Sequence, residues 1–201
     1  MAAAAPMPAR MPSRRLVLAD LVPGTWVRDA GLVAGAALFT ALLAQVSIPV
    51  AGSPVPITGQ TLAVVLTAAA LGPVRGVAGQ GLYVLLGMVG LPFYAGGNGG
   101  FHVVVGATGG YLIGFLPAAV LIGMAARQGQ DRRITRALPL FALGQLVIFA
   151  VGVPWLAVVA HMTPDEALHA GFYPFIIGGI VKAAIAGVLL PAAWRVVRVA
   201  E

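Results

Sequence analysis

Polar positions in this chain are gathered into short clusters separated by long apolar stretches. No ionised side chain occurs from Ala30 to Val74, and none from Gly76 to Ala126. Ala137 to Pro164 is a third such stretch, and Ala167 to Trp194 a fourth, interrupted only by Lys182. A helix needs about 20 residues to cross roughly 30 Å of hydrocarbon. The first two stretches are each long enough for two crossings joined by an uncharged loop, and the last two hold one apiece. The pattern predicts an all-α membrane protein of six transmembrane helices.

Prolines and glycines mark the joints. Helix 1 is expected over Ala30–Val46, followed by the loop Ser47–Pro56. Helix 2 is expected over Thr58–Leu71, with a turn at Gly72-Pro73, and helix 3 over Val74–Val89. Gly90–His102, rich in glycine and aromatics, reads as a loop or re-entrant segment. Helices 4, 5 and 6 are expected over Val103–Ala126, Ala137–Ala160 and Phe172–Val197, with Pro139, Pro154 and Pro191 inside the last two. Residues 1–28 read as a disordered basic arm without the apolar core of a signal peptide, and residues 29–201 as the membrane domain.

Composition agrees with the pattern. The chain is 60% apolar and 9% charged, with a mean hydropathy of +0.97. A soluble domain carries about 25% charged residues, so this chain cannot coat a water-facing surface. The net charge of +6 is topological. Every basic residue except Lys182 falls in the N-terminal arm, the 2–3 turn, the 4–5 loop or the C-terminal tail, which a six-helix chain places on one side. Basic residues mark the cytoplasmic face, so both termini are expected inside, and nothing favours nucleic acid as a partner. Trp26 and Trp194 are expected at the inner interface, and Phe172, Tyr173 and Phe175 at the outer one.

Lys182 is the only ionisable group within a predicted span, some ten residues below the outer start of helix 6. A charge at that depth costs about 2.5–3.5 kcal/mol on insertion scales, and no Asp or Glu lies within any span to offset it. The missing counter-ion is then the substrate, most simply a carboxylate. Outer loops supply polar groups for the rest of a cavity: Thr58 and Gln60 at the mouth of helix 2, and Asn98 in Tyr94-Ala-Gly-Gly-Asn-Gly-Gly-Phe101. Tyr83 and Tyr111 add flat apolar faces with a hydroxyl tip. On helix 1, Ala30, Ala34, Ala37 and Ala41 recur at four-residue spacing. They are expected to face outward as a ridge on which a partner helix docks, with internal packing as the alternative.

Catalytic constellations are absent. Ser13, Ser47 and Ser53 lie outside any Gly-x-Ser-x-Gly setting, and His102, His161 and His169 lack metal-ligand spacing. There is no phosphate-binding loop for ATP and no cysteine. Neither an enzyme nor a cofactor is expected.

With Pro54-Val-Pro-Ile-Thr-Gly-Gln-Thr61, Leu71-Gly-Pro-Val-Arg-Gly76 and Tyr83-Val-Leu-Leu-Gly-Met-Val-Gly-Leu-Pro92 in this order, the chain resembles the BioY family of biotin transporters. The series continues through Gly99-Gly100, Gly106-Ala-Thr-Gly-Gly-Tyr-Leu-Ile-Gly-Phe115, Pro174-Phe175 and Lys182, colinear over about residues 30–195. The resemblance implies a six-helix substrate-binding (S) component of an energy-coupling factor (ECF) transporter in the cell membrane. It would capture biotin from the outer face and work with a transmembrane coupling protein and two ATPases. By position, Asn98 and Lys182 look like ligand contacts, with Thr58, Gln60, Tyr83 and Tyr111 as further ones. Two residues depart from the family pattern: Gly179 stands where an acid is usual, and Ala107 where proline is usual. Another vitamin on the same scaffold, a non-transporting assembly subunit and a homo-oligomer stay open as alternatives. A cationic vitamin such as thiamine is disfavoured by Lys182.

Overall fold

The structure is a computed structural model and describes residues 16–199. Its long elements are α1 (Trp26–Ala44), α2 (Gln60–Met88), α4 (Gly109–Arg127), α5 (Ile134–Val159) and α7 (Phe175–Val199), with the short helices α3 (Phe101–Val105) and α6 (Pro164–Gly171) between them. Five helices are long and apolar enough to cross a membrane, against the six expected. The difference lies in α2, where Gly72 leaves the helical region (φ 80°, ψ 177°) immediately before Pro73. Glycine alone reaches that conformation without strain, and proline adds no amide to the ladder it interrupts. The segments 60–71 and 73–88 then lie side by side. Gln60 donates to the Tyr83 hydroxyl, and Gln80 Nε2 donates to Thr67 Oγ1 at 3.0 Å. On a straight helix Gln60 and Tyr83 would be about 34 Å apart at roughly 1.5 Å per residue.

Other boundaries move for identifiable reasons. Ser47-Ile48 and Ile57-Thr58, expected as loop and helix start, form a two-stranded antiparallel ribbon, β1 and β2, pairing Ser47 with Thr58. Helix 4 does not begin at Val103. The chain makes α3, goes extended at Gly106 and restarts at Gly109, and the Gly106 carbonyl accepts from the Gly109 amide at 3.1 Å and from Trp155 Nε1 at 2.9 Å. In the expected 5–6 loop, Thr163 and Glu166 cap α6 reciprocally and Pro164 opens its first turn.

The part of the expected arm that is described is folded. Val17 is fully buried, and Asp20 and Asp29 both reach Arg75, at 2.8 and 3.1 Å. Burial alone would raise the Asp20 carboxyl, but hydrogen bonds from Arg75 and the Val17 amide outweigh it and hold it below its usual range. Residues 1–15 of the arm lie outside the described residues.

The expected outward ridge on helix 1 is also corrected. Ala37 and Ala41 are buried, 1% and 8% exposed, in an apolar cluster with Val64, Tyr83 and Phe115. Ala30 remains exposed and Ala34 half-buried. Gly31 and Gly35 carry the open small-residue face, with no atom within 4 Å of where a Cβ would stand. Aromatic placement differs in the same way. Trp194 is buried and donates to Asp131 Oδ2 at 2.7 Å, and Phe175 turns inward, whereas Trp26 and Tyr173 are exposed. Leu38, Leu42, Val74, Leu85, Ile177 and Val188 face outward, the apolar exterior that a bilayer solvates. The chain is a multi-pass membrane protein.

Candidate functional site

A cavity of about 190 Å³ opens between the β1–β2 ribbon, the 94–98 loop and the facing ends of α2, α4, α5 and α7. The connection between β1 and β2 contributes Pro54, Val55 and Pro56, where the two proline rings restrict the backbone and carry no amide to satisfy. Its apolar walls are Leu112 and Phe115 from α4, Phe149 from α5 and Phe175 from α7. Phe149 packs edge-on against Tyr111, at 6.2 Å between ring centres and 86° between planes.

Five of the six residues read as candidate contacts lie on this wall: Thr58, Gln60, Asn98, Tyr111 and Lys182. Lys182 is half-buried on α7, and its Nζ donates to Thr61 Oγ1 at 3.0 Å. It is the only charged side chain lining the cavity and has no carboxylate partner among the described residues. A hydroxyl satisfies one of the three ammonium donors, which leaves the charge itself uncompensated. Thr58 Oγ1 donates to Gln60 Oε1 at 2.6 Å, and Gln60 Nε2 donates to Tyr83, so the Gln60 amide is held in one orientation. Asn98 Nδ2 donates to the Ala95 carbonyl at 2.7 Å.

Tyr83 is the exception. It is fully buried behind Gln60, edge-on to Tyr94 (5.7 Å, 78°), and does not line the cavity. Its hydroxyl accepts from the Gln60 amide. Tyr111 lines the wall, but its hydroxyl is committed to the Gly171 carbonyl at 2.9 Å, so the ring is what it offers a ligand.

Sequence reasoning missed Thr61, Tyr94, Thr108 and Gln145, all on the wall. Gln145 had a readable signal as the only carboxamide in the apolar stretch from Ala137 to Pro164. It is 5% exposed, and its Nε2 donates to the Gly179 carbonyl at 2.6 Å. A Cβ on Gly179 would lie 3.0 Å from Gln145 Oε1. The space beside Gly179, one turn from Lys182, is therefore taken by a neutral amide. Among the described residues no cluster of His, Asp or Glu could hold a metal ion.

The cavity combines five aromatic rings, one cation and several amides and hydroxyls, a lining suited to a small molecule with an acidic group. Fold and site together define a multi-pass membrane protein with a small-molecule binding cavity at one end of its bundle. The BioY family model matches residues 11–199, and the chain belongs to the BioY family. It is 39% identical over 157 residues to the biotin transporter BioY of Thermotoga maritima, covering 77% of this chain and 90% of that protein. It is 37% identical over 164 residues to the biotin transporter BioY of Rhodobacter capsulatus, covering 77% and 86%. Among solved structures it is similar to the S-component for biotin from an ECF-type ABC transporter, with a TM-score of 0.78 and 27% identity over 85% of this chain and 92% of that one.

Proposed function

We propose that the chain is the substrate-capturing subunit of a biotin uptake transporter and that Lys182 pairs with the carboxylate of bound biotin. The carrying observation is the cavity's single cation, bonded to Thr61 and without a carboxylate partner among the described residues. Biotin matches the wall in three respects. Its carboxylate supplies the missing anion, its valeryl chain and fused rings suit Tyr94, Tyr111, Phe115 and Phe149, and its ureido group needs amides and hydroxyls such as Asn98, Gln60 and Thr58. Relatives named as biotin transporters support the same ligand.

The test is binding of labelled biotin to the purified protein. Saturable binding that excess thiamine and riboflavin fail to displace is the expected result. Displacement by either vitamin, or no saturable binding, rejects the assignment.

The hairpin at Gly72 supports six crossings, with segments 60–71 and 73–88 each passing through the bilayer. The cavity then opens outward and both termini lie in the cytoplasm. An S component needs an energy module, here a transmembrane coupling protein with two ATPases. The face that fits a partner helix is the open small-residue surface of α1, Ala30, Gly31, Ala34 and Gly35, where backbones can approach closely. Gly31→Leu with Gly35→Leu should reduce co-purification with the coupling protein at least tenfold and leave biotin affinity unchanged. Undiminished co-purification would exclude this face.

A further inference from the structure

We propose that a second site, at the end of the bundle remote from the cavity, binds the phosphate of an anionic phospholipid headgroup. A concave pocket of about 360 Å³ is formed where α5 begins and α7 ends, lined by Arg132, Arg133, Ile134, Thr135, Pro191, Trp194 and Arg195. Three arginines line it, and among the described residues no acidic side chain does.

The arginines are of two kinds. Arg132 is locked: its guanidinium carbon lies 4.2 Å from the centre of the Trp194 ring, and its Nη2 donates to the Leu16 carbonyl at 2.9 Å. Trp194 is itself fixed by Asp131, whose carboxylate is sealed beneath the pocket at 0% exposure. Arg133 and Arg195 are exposed and have no ion-pair partner among the described residues. A rigid cation flanked by two adaptable ones is suited to phosphate, which guanidinium groups contact through paired N–H donors. The first turn of α5 adds amides with no partner inside the helix and the positive end of its dipole.

The surroundings select a lipid over a free anion. Ile134 on α5 and Val188, Leu189 and Val196 on α7 are all exposed, between 39% and 70%. The pocket thus sits where an apolar exterior gives way to arginine, the arrangement of a headgroup above its acyl chains. Basic pockets between helices at the membrane edge bind anionic headgroups in this way.

Native mass spectrometry of the full chain in detergent, doped with phosphatidylglycerol or phosphatidylcholine, tests the site. The wild type should retain phosphatidylglycerol in preference to phosphatidylcholine. Removing each arginine should cost roughly fivefold in retention, so the doubly substituted Arg133→Gln, Arg195→Gln protein should lose about 25-fold. Arg136→Gln, an exposed arginine outside the pocket, should change nothing, and millimolar inorganic phosphate should not displace the lipid. Three results would overturn the proposal. They are wild-type retention by the double variant, an equal loss with Arg136→Gln (diffuse charge attraction), and displacement by inorganic phosphate (a free-anion site).

Discussion

Lys182→Met is expected to weaken biotin binding by roughly 2–5 kcal/mol, the range for removing one partner of a buried, hydrogen-bonded charge pair. That is about thirtyfold at the lower end. Methionine keeps the length and apolar bulk of the stem, so the cavity keeps its shape while losing its only charge. The empty protein should be at least as stable as before. The ammonium is partly desolvated with only Thr61 to compensate it, and an uncompensated buried charge is a net cost. The decisive control is a neutral biotin amide, which should lose much less affinity than biotin on going from wild type to Lys182→Met. Equal losses for acid and amide, measured by competition against labelled biotin, would mean that Lys182 does not hold the carboxylate.

The second large effect concerns the fold. Gly123 on α4 presses on the hairpin turn of α2. A Cβ there would overlap the Pro73 nitrogen and lie 2.6 Å from the Gly72 carbonyl carbon and the Pro73 Cα. These are backbone atoms of a turn that glycine and proline already fix, so no side chain can rotate aside. Gly123→Ala should cost about 3 kcal/mol, the upper part of the usual overpacking range. It should be seen as a lowered melting temperature in detergent or as failure to accumulate in the membrane. Gly35→Ala, with open space around it, should be neutral or stabilising by up to about 1 kcal/mol, since glycine is a poor helix former. A Gly123→Ala protein that melts with the wild type would show that α4 does not seat against this turn.

Much of the fold was legible because charge is so costly in hydrocarbon. The uncharged stretches located every long helix, and Gly72-Pro73 located the reversal within α2. The same cost singled out Lys182, and Thr58, Gln60 and Asn98, read from the outer loops, line the same cavity as it does. Less was readable where the signal was not unique to one arrangement. Four-residue spacing of alanine marks a smooth face without saying whether it packs inward, and Ala37 and Ala41 do pack inward. Tyr83 and Tyr111 were read as equivalent hydroxyl-bearing rings, yet one is buried behind Gln60 and the other spends its hydroxyl on Gly171. Gln145 lies deep in an apolar helix and far in sequence from Gly179. Only the tertiary meeting of α5 and α7 brings its amide to the space beside Gly179.

A structure of the protein with biotin bound is the most direct measurement of what Lys182 does. The expected result is a carboxylate oxygen within hydrogen-bonding distance of Lys182 Nζ, with the fused rings among Tyr94, Tyr111 and Phe115. A carboxylate turned toward the Asn98 loop, with Lys182 still bonded to Thr61 alone, would contradict it.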